Sequence, residues 1–285
     1  MFDEYLITVD ELWKMIQAQD VFVIDTREPQ VYQQDHIPGA VNIHDFFLYI
    51  ALRENGGHPA MVEHFTLLLR GAGLKKDHKV VVYEDAMDNG YGRSCRAWFL
   101  LKYMGHPWVR VLHGGYRAWK AEKMNIDKES PVHEPSNYKP QLNADIIVTT
   151  EQMLEATKSS GIQILDNRDY AEWIGANSSP YGYDYCPRKG RIPGARWVEW
   201  YQLMTVKNGI PWFKPGEEIR MILTEAGFNP EETVYIYCFK GARASNTLMA
   251  LKLAGFKDVR NYFNAWNEWS RDFALPIEEG YPEYH

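Results

Sequence analysis

Short aliphatic runs punctuate the chain at Val21–Ile24, Val80–Val82 and Val234–Ile236. Each is apolar at consecutive rather than alternate positions, the pattern of strands buried on both faces of a parallel sheet. Between the runs the spacing changes. Ala97, Trp98, Leu101 and Met104 recur at helical intervals and stop at Gly105, and Ala244, Leu248 and Leu251 stop in the same way at Gly255. Glycine at those points suits a helix C-terminus, which wants a positive φ. Strands alternating with amphipathic helices predict an α/β fold with a mostly parallel sheet flanked by helices.

The same marks occur twice, in the same order. Asp25-Thr26-Arg27 follows the first apolar run, and Asp166-Asn167-Arg168 follows Ile162–Leu165. His36-Ile37-Pro38-Gly39-Ala40 returns 155 positions later as Arg191-Ile192-Pro193-Gly194-Ala195. Val80–Tyr83 returns 154 positions later as Val234–Tyr237. Leu101, Lys102, Gly105, Val109 and Arg110 return 150 positions later as Leu251, Lys252, Gly255, Val259 and Arg260. Ala118-Trp119 pairs with Ala265-Trp266 on this reading. So long an ordered series reads as two copies of one domain. The changing offset locates an extra 14 residues in the second copy, assigned to the loop Gly175–Lys189, and a loss of four after its strand tyrosine. Asn125 to Asn143, with three prolines and no apolar period, reads as a surface linker. The expected division is residues 1–124, a linker 125–143, and residues 144–285.

Composition narrows the class. A length of 285 residues suits two domains of roughly 100–150 residues each. A 45% hydrophobic and 24% charged composition excludes fibrous and wholly disordered chains. No apolar run approaches a membrane span. A net charge of −7 provides no global basic field for nucleic acid. Cys95, Cys186 and Cys238 are too few for a disulfide framework and point to reduced thiols. Residues 1–13 are acidic and lack the basic flank and apolar core of a signal peptide, so a cytoplasmic location is expected. The nine histidines show no metal-ligand spacing, and nucleotide-binding glycine motifs are absent. Neither metal nor cofactor is expected.

The candidate chemistry sits at one strand end. Cys238 follows the run Val234–Ile236, and the loop Phe239-Lys240-Gly241-Ala242-Arg243 leads into the helical pattern ending at Gly255. In parallel sheets ligands bind beyond the carboxyl ends of strands. Loop N–H groups, a helix N-terminus and the cations Lys240 and Arg243 would hold an anion there and favour a thiolate, the nucleophilic form of cysteine. Arg243 has two readings of equal weight: contact with the substrate, or bracing of the loop through backbone carbonyls. Arg191 replaces His36 of the first copy and adds positive field or is a solvated charge. Cys95, inside a helix, and Cys186, in the inserted loop, read as structural. Glu84 stands where the first copy would carry the cysteine. A carboxylate cannot replace a thiolate nucleophile, so the first copy is expected to be catalytically silent.

These motifs over nearly the whole length resemble the two-domain rhodaneses, the thiosulfate and 3-mercaptopyruvate sulfurtransferases. The resemblance rests on Asp-x-Arg, Ile-Pro-Gly-Ala, the six-residue stretch Cys238 to Arg243, and Trp266-Asn267-Glu268-Trp269. It implies two tandem rhodanese-like domains, the second carrying a cysteine that cycles through a persulfide. Cys-x-Lys-Gly is similar to thiosulfate-using members, whereas mercaptopyruvate-using members usually show Cys-Gly-x-Gly. The latter also place an arginine where this chain has Glu172. Phe239 and Tyr262-Phe263-Asn264 depart from the usual thiosulfate pattern and leave the acceptor open. The implied reaction moves sulfur from a small-molecule donor, thiosulfate, to a thiophilic acceptor such as cyanide, a dithiol or a carrier protein. Phe239, Lys240, Gly241, Ala242, Arg243 and Arg191 are the candidate donor-binding residues.

Competing classes are a cysteine phosphatase, whose loop has five residues between cysteine and arginine against four here, and a sulfur-receiving binding module. Trp98, Trp119, Trp266 and Trp269 are expected in the core. Trp173, Trp197 and Trp200 read either as site-mouth residues or as packing between domains. Oligomeric state is not legible.

Overall fold

The apolar runs are strands, in a computed structural model that describes residues 2–282. The chain divides into two units, Met1–Asn143 with Thr205–Phe213, and Ala144–Met204 with Lys214–His285. In the first unit β1 (Leu6–Ile7), β2 (Phe22–Asp25), β3 (Val41–Asn42), β4 (Val80–Tyr83) and β5 (Val109–Leu112) form one sheet in the order β1-β5-β4-β2-β3. All its pairings are parallel. The remaining strands are β6 (Ile162–Asp166), β7 (Ala195–Trp197), β8 (Met204–Lys207), β9 (Ile210–Phe213), β10 (Thr233–Tyr237) and β11 (Val259–Asn261). The second unit's sheet runs β11-β10-β6-β7, again parallel, and β8 and β9 form a separate two-stranded sheet. The expected helices span Gly92–Tyr103 and Ala242–Leu253, and Gly105 and Gly255 beyond them have φ of +76° and +80°. Among the described residues no helix is long and apolar enough to cross a membrane.

The repeated motifs are parts of one polar network, built twice. In the second unit Tyr237, at the end of β10, donates its hydroxyl proton to Asp166 at the end of β6 (2.5 Å) and accepts from the Ile192 N–H (3.1 Å). Arg168 doubles back onto Asp166 (2.6 Å) and donates to the Gly190 carbonyl. The first unit repeats this with Tyr83, Asp25, Ile37 and Arg27. These groups are buried, and a buried charge is tolerable only when paired and hydrogen-bonded. Each motif therefore requires the others: aspartate and arginine neutralise each other, and the tyrosine ties them to the Ile-Pro-Gly-Ala turn.

This network corrects one motif pairing. The guanidinium of Arg168 lies over the Trp266 ring, and that of Arg27 lies over Tyr116. The Trp266 N–H donates to the carbonyl of Cys238 as the Tyr116 N–H does to that of Glu84. Gly115-Tyr116, not Ala118-Trp119, therefore answers Ala265-Trp266. Trp119 answers Trp269, each indole N–H reaching a carbonyl a few residues on, at Asn125 and Pro276. The resemblance of the two Ala-Trp pairs was coincidental, and the offset of 150 continues unbroken. Trp98, Trp119, Trp266 and Trp269 are buried, as expected.

Segment 125–143 is largely exposed, yet it is fastened to the first unit. Arg70 donates to the Tyr138 carbonyl, Ser136 N–H to Arg70, and Asn143 N–H to Tyr103.

Candidate active site

Cys238 is the first residue after β10, and its side chain is buried, 1% exposed. The Gly241 N–H donates to its Sγ at 3.1 Å. Two sets of bonds fix the loop in this turn. Behind it, the carbonyls of Cys238 and Phe239 accept from the N–H groups of Trp266 and Asn267. Ahead of it, the Gly241 carbonyl accepts from Ser245 Oγ (2.6 Å) and Asn261 Nδ2 (3.3 Å). Gly241 has a φ of +84°, and a Cβ there would meet the Phe263 ring at 2.7 Å, so both the turn and the space require glycine. Ala265, with a φ of +60°, is held in the left-handed region at the start of the short helix whose N–H groups grip the loop.

Helix Ala242–Leu253 starts three residues beyond Phe239 and has Gly241 as its N-cap, so its positive end faces the sulfur-bearing loop. Among the candidate residues, Cys238, Phe239, Lys240, Gly241, Ala242 and Arg243 are all buried together in this loop. Lys240 Nζ lies 5.6 Å from the centroid of the Tyr181 ring. Arg191 is engaged elsewhere. It is buried, pairs with Glu278 (3.1 Å), donates to the Gly280 carbonyl and lies over the Trp173 ring, so it is not a solvated charge.

Arg243 braces, but not through carbonyls. Its guanidinium forms a bidentate ion pair with Glu172 (2.6 and 3.1 Å) and reaches Asp169 at 2.9 Å. Those carboxylates and the nearby thiol hold its charge on despite burial, raising its pKa well above the usual arginine value. Asp169 and Glu172 follow Arg168 on the short turn after β6, and sequence reasoning gave them no such role. The signal was present as two acids three residues apart beyond Asp-x-Arg. The first unit keeps a simpler form of the brace, Arg93 on Glu28 at 2.7 and 3.0 Å.

The inserted loop is also part of the site. Arg188 donates to the carbonyls of Trp269, Ser270, Asp272 and Leu275, and Arg271 donates to Asp184, pinning the insertion to the end of the chain's last helix. Its Cys186 is buried in the second unit's core, where burial pushes the thiol up to about 11. A thiol so placed stays protonated and inert. Tyr181 and Tyr185 rest on Phe239 with ring centroids 4.9 and 6.2 Å away. Trp200 is buried, and Trp197 donates to the Arg168 carbonyl. In the first unit Glu84 occupies the cysteine's place. Its carboxylate accepts from Ser94 N–H and, at 2.8 Å, from Ser94 Oγ in the first turn of the helix Gly92–Tyr103, and burial pushes it up to about 7.

A cysteine sulfur held at a strand end by a short loop and a helix start is the geometry of an α/β enzyme that works through a cysteine nucleophile. The Rhodanese-like domain matches residues 8–122 and 149–272, and the chain belongs to that family. It is 31% identical over 246 residues to thiosulfate sulfurtransferase of Mus musculus, covering 84% of this chain and 79% of the relative. It is 29% identical to the sulfur carrier protein TtuD of Thermus thermophilus over 97% of each chain. It is 27% identical to 3-mercaptopyruvate sulfurtransferase of Escherichia coli, covering 98% of this chain and 99% of the relative. Among solved structures, wild-type EanB matches with a TM-score of 0.85 and 26% identity, over 98% of this chain and 70% of that one. Two rhodanese domains in tandem and the family's sulfurtransferase activity are thereby established.

Proposed function

We propose that this protein moves the sulfane sulfur of thiosulfate to a thiophilic acceptor, cyanide being the simplest, through a persulfide on Cys238. The observation that carries the reading is the Gly241 N–H aimed at Sγ from a loop of four residues between Cys238 and Arg243. The Cys238 thiolate attacks the outer sulfur of thiosulfate, the S–S bond breaks, and sulfite leaves with the electron pair. The perthiolate stays beside the Gly241 N–H, the helix N-terminus and Lys240 until an acceptor attacks its outer sulfur and Cys238 departs as thiolate. This is covalent ping-pong catalysis with electrostatic stabilisation of charge on sulfur.

Thiosulfate is favoured over 3-mercaptopyruvate by Glu172. A carboxylate donor needs a free cation, and at this position the chain has an anion that also engages Arg243. Lys240, buried in the loop beside the Tyr181 ring, adds positive charge that favours a dianion. Arg191 fastens Glu278 and plays no part in donor binding on this reading. The first unit is silent, because the Glu84 carboxylate fills the place a thiolate would need. The test is mass spectrometry after incubation with thiosulfate. One sulfur atom should appear on Cys238, be removed by cyanide, and be absent from Cys238→Ser. Sulfur on Cys95 or Cys186, or faster turnover of mercaptopyruvate than thiosulfate, would overturn the assignment.

A further inference from the structure

The insertion Gly175–Lys189 belongs to the copy that carries the cysteine and is missing from the copy that carries Glu84. Its C-terminal part is fastened to the second unit. Arg188 caps four carbonyls, Arg271 holds Asp184, Ser179 Oγ donates to Gly182, and Cys186 is sealed in the core. What this scaffold presents is aromatic. Tyr181 and Tyr185 pack on each other, with centroids 5.6 Å apart, and both lie on Phe239, the residue that follows Cys238. The Tyr181 ring also meets the Lys240 ammonium. Tyr181 is 49% exposed, whereas Cys238 is 1% and Phe239 3% exposed. The Tyr181 ring, tilted at 44° to that of Phe239, thus borders the loop on one side and faces solvent on the other, which is where a wall beside the sulfur would stand.

From this placement we propose that Tyr181 is a specificity-determining residue that sets the size of the acceptor reaching the sulfur on Cys238. The proposal rests on the reading that Cys238 carries the sulfur. In the acceptor step a cyanide or thiolate nucleophile attacks the outer sulfur, a new C–S or S–S bond forms, and the Cys238–sulfur bond breaks with its electron pair returning to Cys238. A linear nucleophile of two atoms passes the tyrosine wall. A thiol on a branched tripeptide must push its own bulk against Tyr181 and Tyr185, which are backed by Phe239 and by an insertion tied down at Asp184, Cys186 and Arg188.

The experiment separates the two half-reactions. Protein loaded with one sulfur by thiosulfate, verified by mass, is chased in single turnover with cyanide or with glutathione, for the native chain, Tyr181→Ala and Tyr181→Phe. Removing the ring in Tyr181→Ala should raise the glutathione rate relative to the cyanide rate by about tenfold or more, equivalent to roughly 1.4 kcal/mol of steric cost removed. Tyr181→Phe, which keeps the ring and loses only the hydroxyl, should keep the native ratio. A second readout needs no turnover: alkylation of Cys238 by a bulky maleimide should accelerate in Tyr181→Ala more than alkylation by iodoacetamide. An unchanged ratio in Tyr181→Ala that still loads sulfur would overturn the proposal, as would a Tyr181→Phe variant that behaves like alanine. If no chain loads sulfur on Cys238, the proposed function fails instead, and the alkylation ratio still decides whether Tyr181 is a wall.

Discussion

Arg243 and Glu172 meet in the second unit as a buried bidentate ion pair, 2.6 and 3.1 Å long, that joins the start of the helix after Cys238 to the turn after Asp-x-Arg. The pair gives Arg243 its partners within the protein. A guanidinium whose fork is filled by one carboxylate, with a second carboxylate alongside, positions the loop. It is not a free hand for an anion.

Deleting one partner of such a pair leaves an uncompensated buried charge, which costs about 3–5 kcal/mol. Glu172→Ala is expected near the low end, since Asp169 remains beside Arg243. Replacing both by apolar residues, as in Glu172→Leu with Arg243→Met, should destabilise less than the sum of the single changes. Urea denaturation of the four proteins gives the coupling energy. Additive losses would show that the two side chains do not depend on each other.

Much of this was legible in the chain. Strand runs, the two copies, and Cys238 at a strand end all follow from local patterns, because parallel strands buried on both faces leave an unbroken apolar signature. The Arg243–Glu172 contact was not, since it joins residues that only the sheet order brings together. The tyrosine cover was missed for a similar reason. A loop rich in Gly, Tyr, Pro and Ser reads as surface, and nothing local reveals that Arg188 folds it back over the site. Pairing Ala118-Trp119 with Ala265-Trp266 failed because a two-residue likeness outweighed the constant offset of 150. The cation–aromatic stacking of Arg27 on Tyr116 and Arg168 on Trp266 fixes the true register.

Glu84 makes the first unit's stability depend on pH. Burial lifts its carboxyl from the ordinary 4.5 to about 7 in the folded chain, so folding takes up a proton in between. That contribution is fully present below about 4.5 and is lost as pH rises through 7, a difference on the order of 3 kcal/mol. Glu84→Gln keeps the shape and removes the titration. It should unfold like the native chain near pH 5 and be more stable at pH 8, read by amide hydrogen exchange in helix Gly92–Tyr103. Parallel pH profiles in the two proteins would exclude Glu84 as the source.

Lys240 is only 8% exposed and lies against the Tyr181 ring, so its action on a bound dianion should resist salt. A charge-assisted hydrogen bond is worth about 1.5–3 kcal/mol, so Lys240→Ala should lower kcat/KM for thiosulfate by roughly 10- to 100-fold. The deficit should persist at high ionic strength. A deficit that disappears with salt would place the ammonium in solvent, acting at a distance.

Loop length should decide which element the site transfers. Four residues separate Cys238 from Arg243, and both ends are fixed: Gly241 by its bond to Sγ and by Phe263, Arg243 by Asp169 and Glu172. One residue inserted between Ala242 and Arg243 cannot satisfy both ends at once. Either Arg243 leaves its carboxylates or the Gly241 N–H leaves the sulfur, and a misplacement of about 1 Å in a preorganised site costs on the order of 100-fold. Sulfur transfer from thiosulfate should therefore collapse in the insertion variant while its helices, followed by circular dichroism, persist. The native chain should show no hydrolysis of an aryl phosphate, because a loop of four residues that turns the Gly241 N–H onto Sγ is sized for one sulfur atom rather than for a tetrahedral phosphate. Robust aryl-phosphate turnover by the native protein, or full sulfur transfer by the insertion variant, would mean that the loop's length does not set its chemistry.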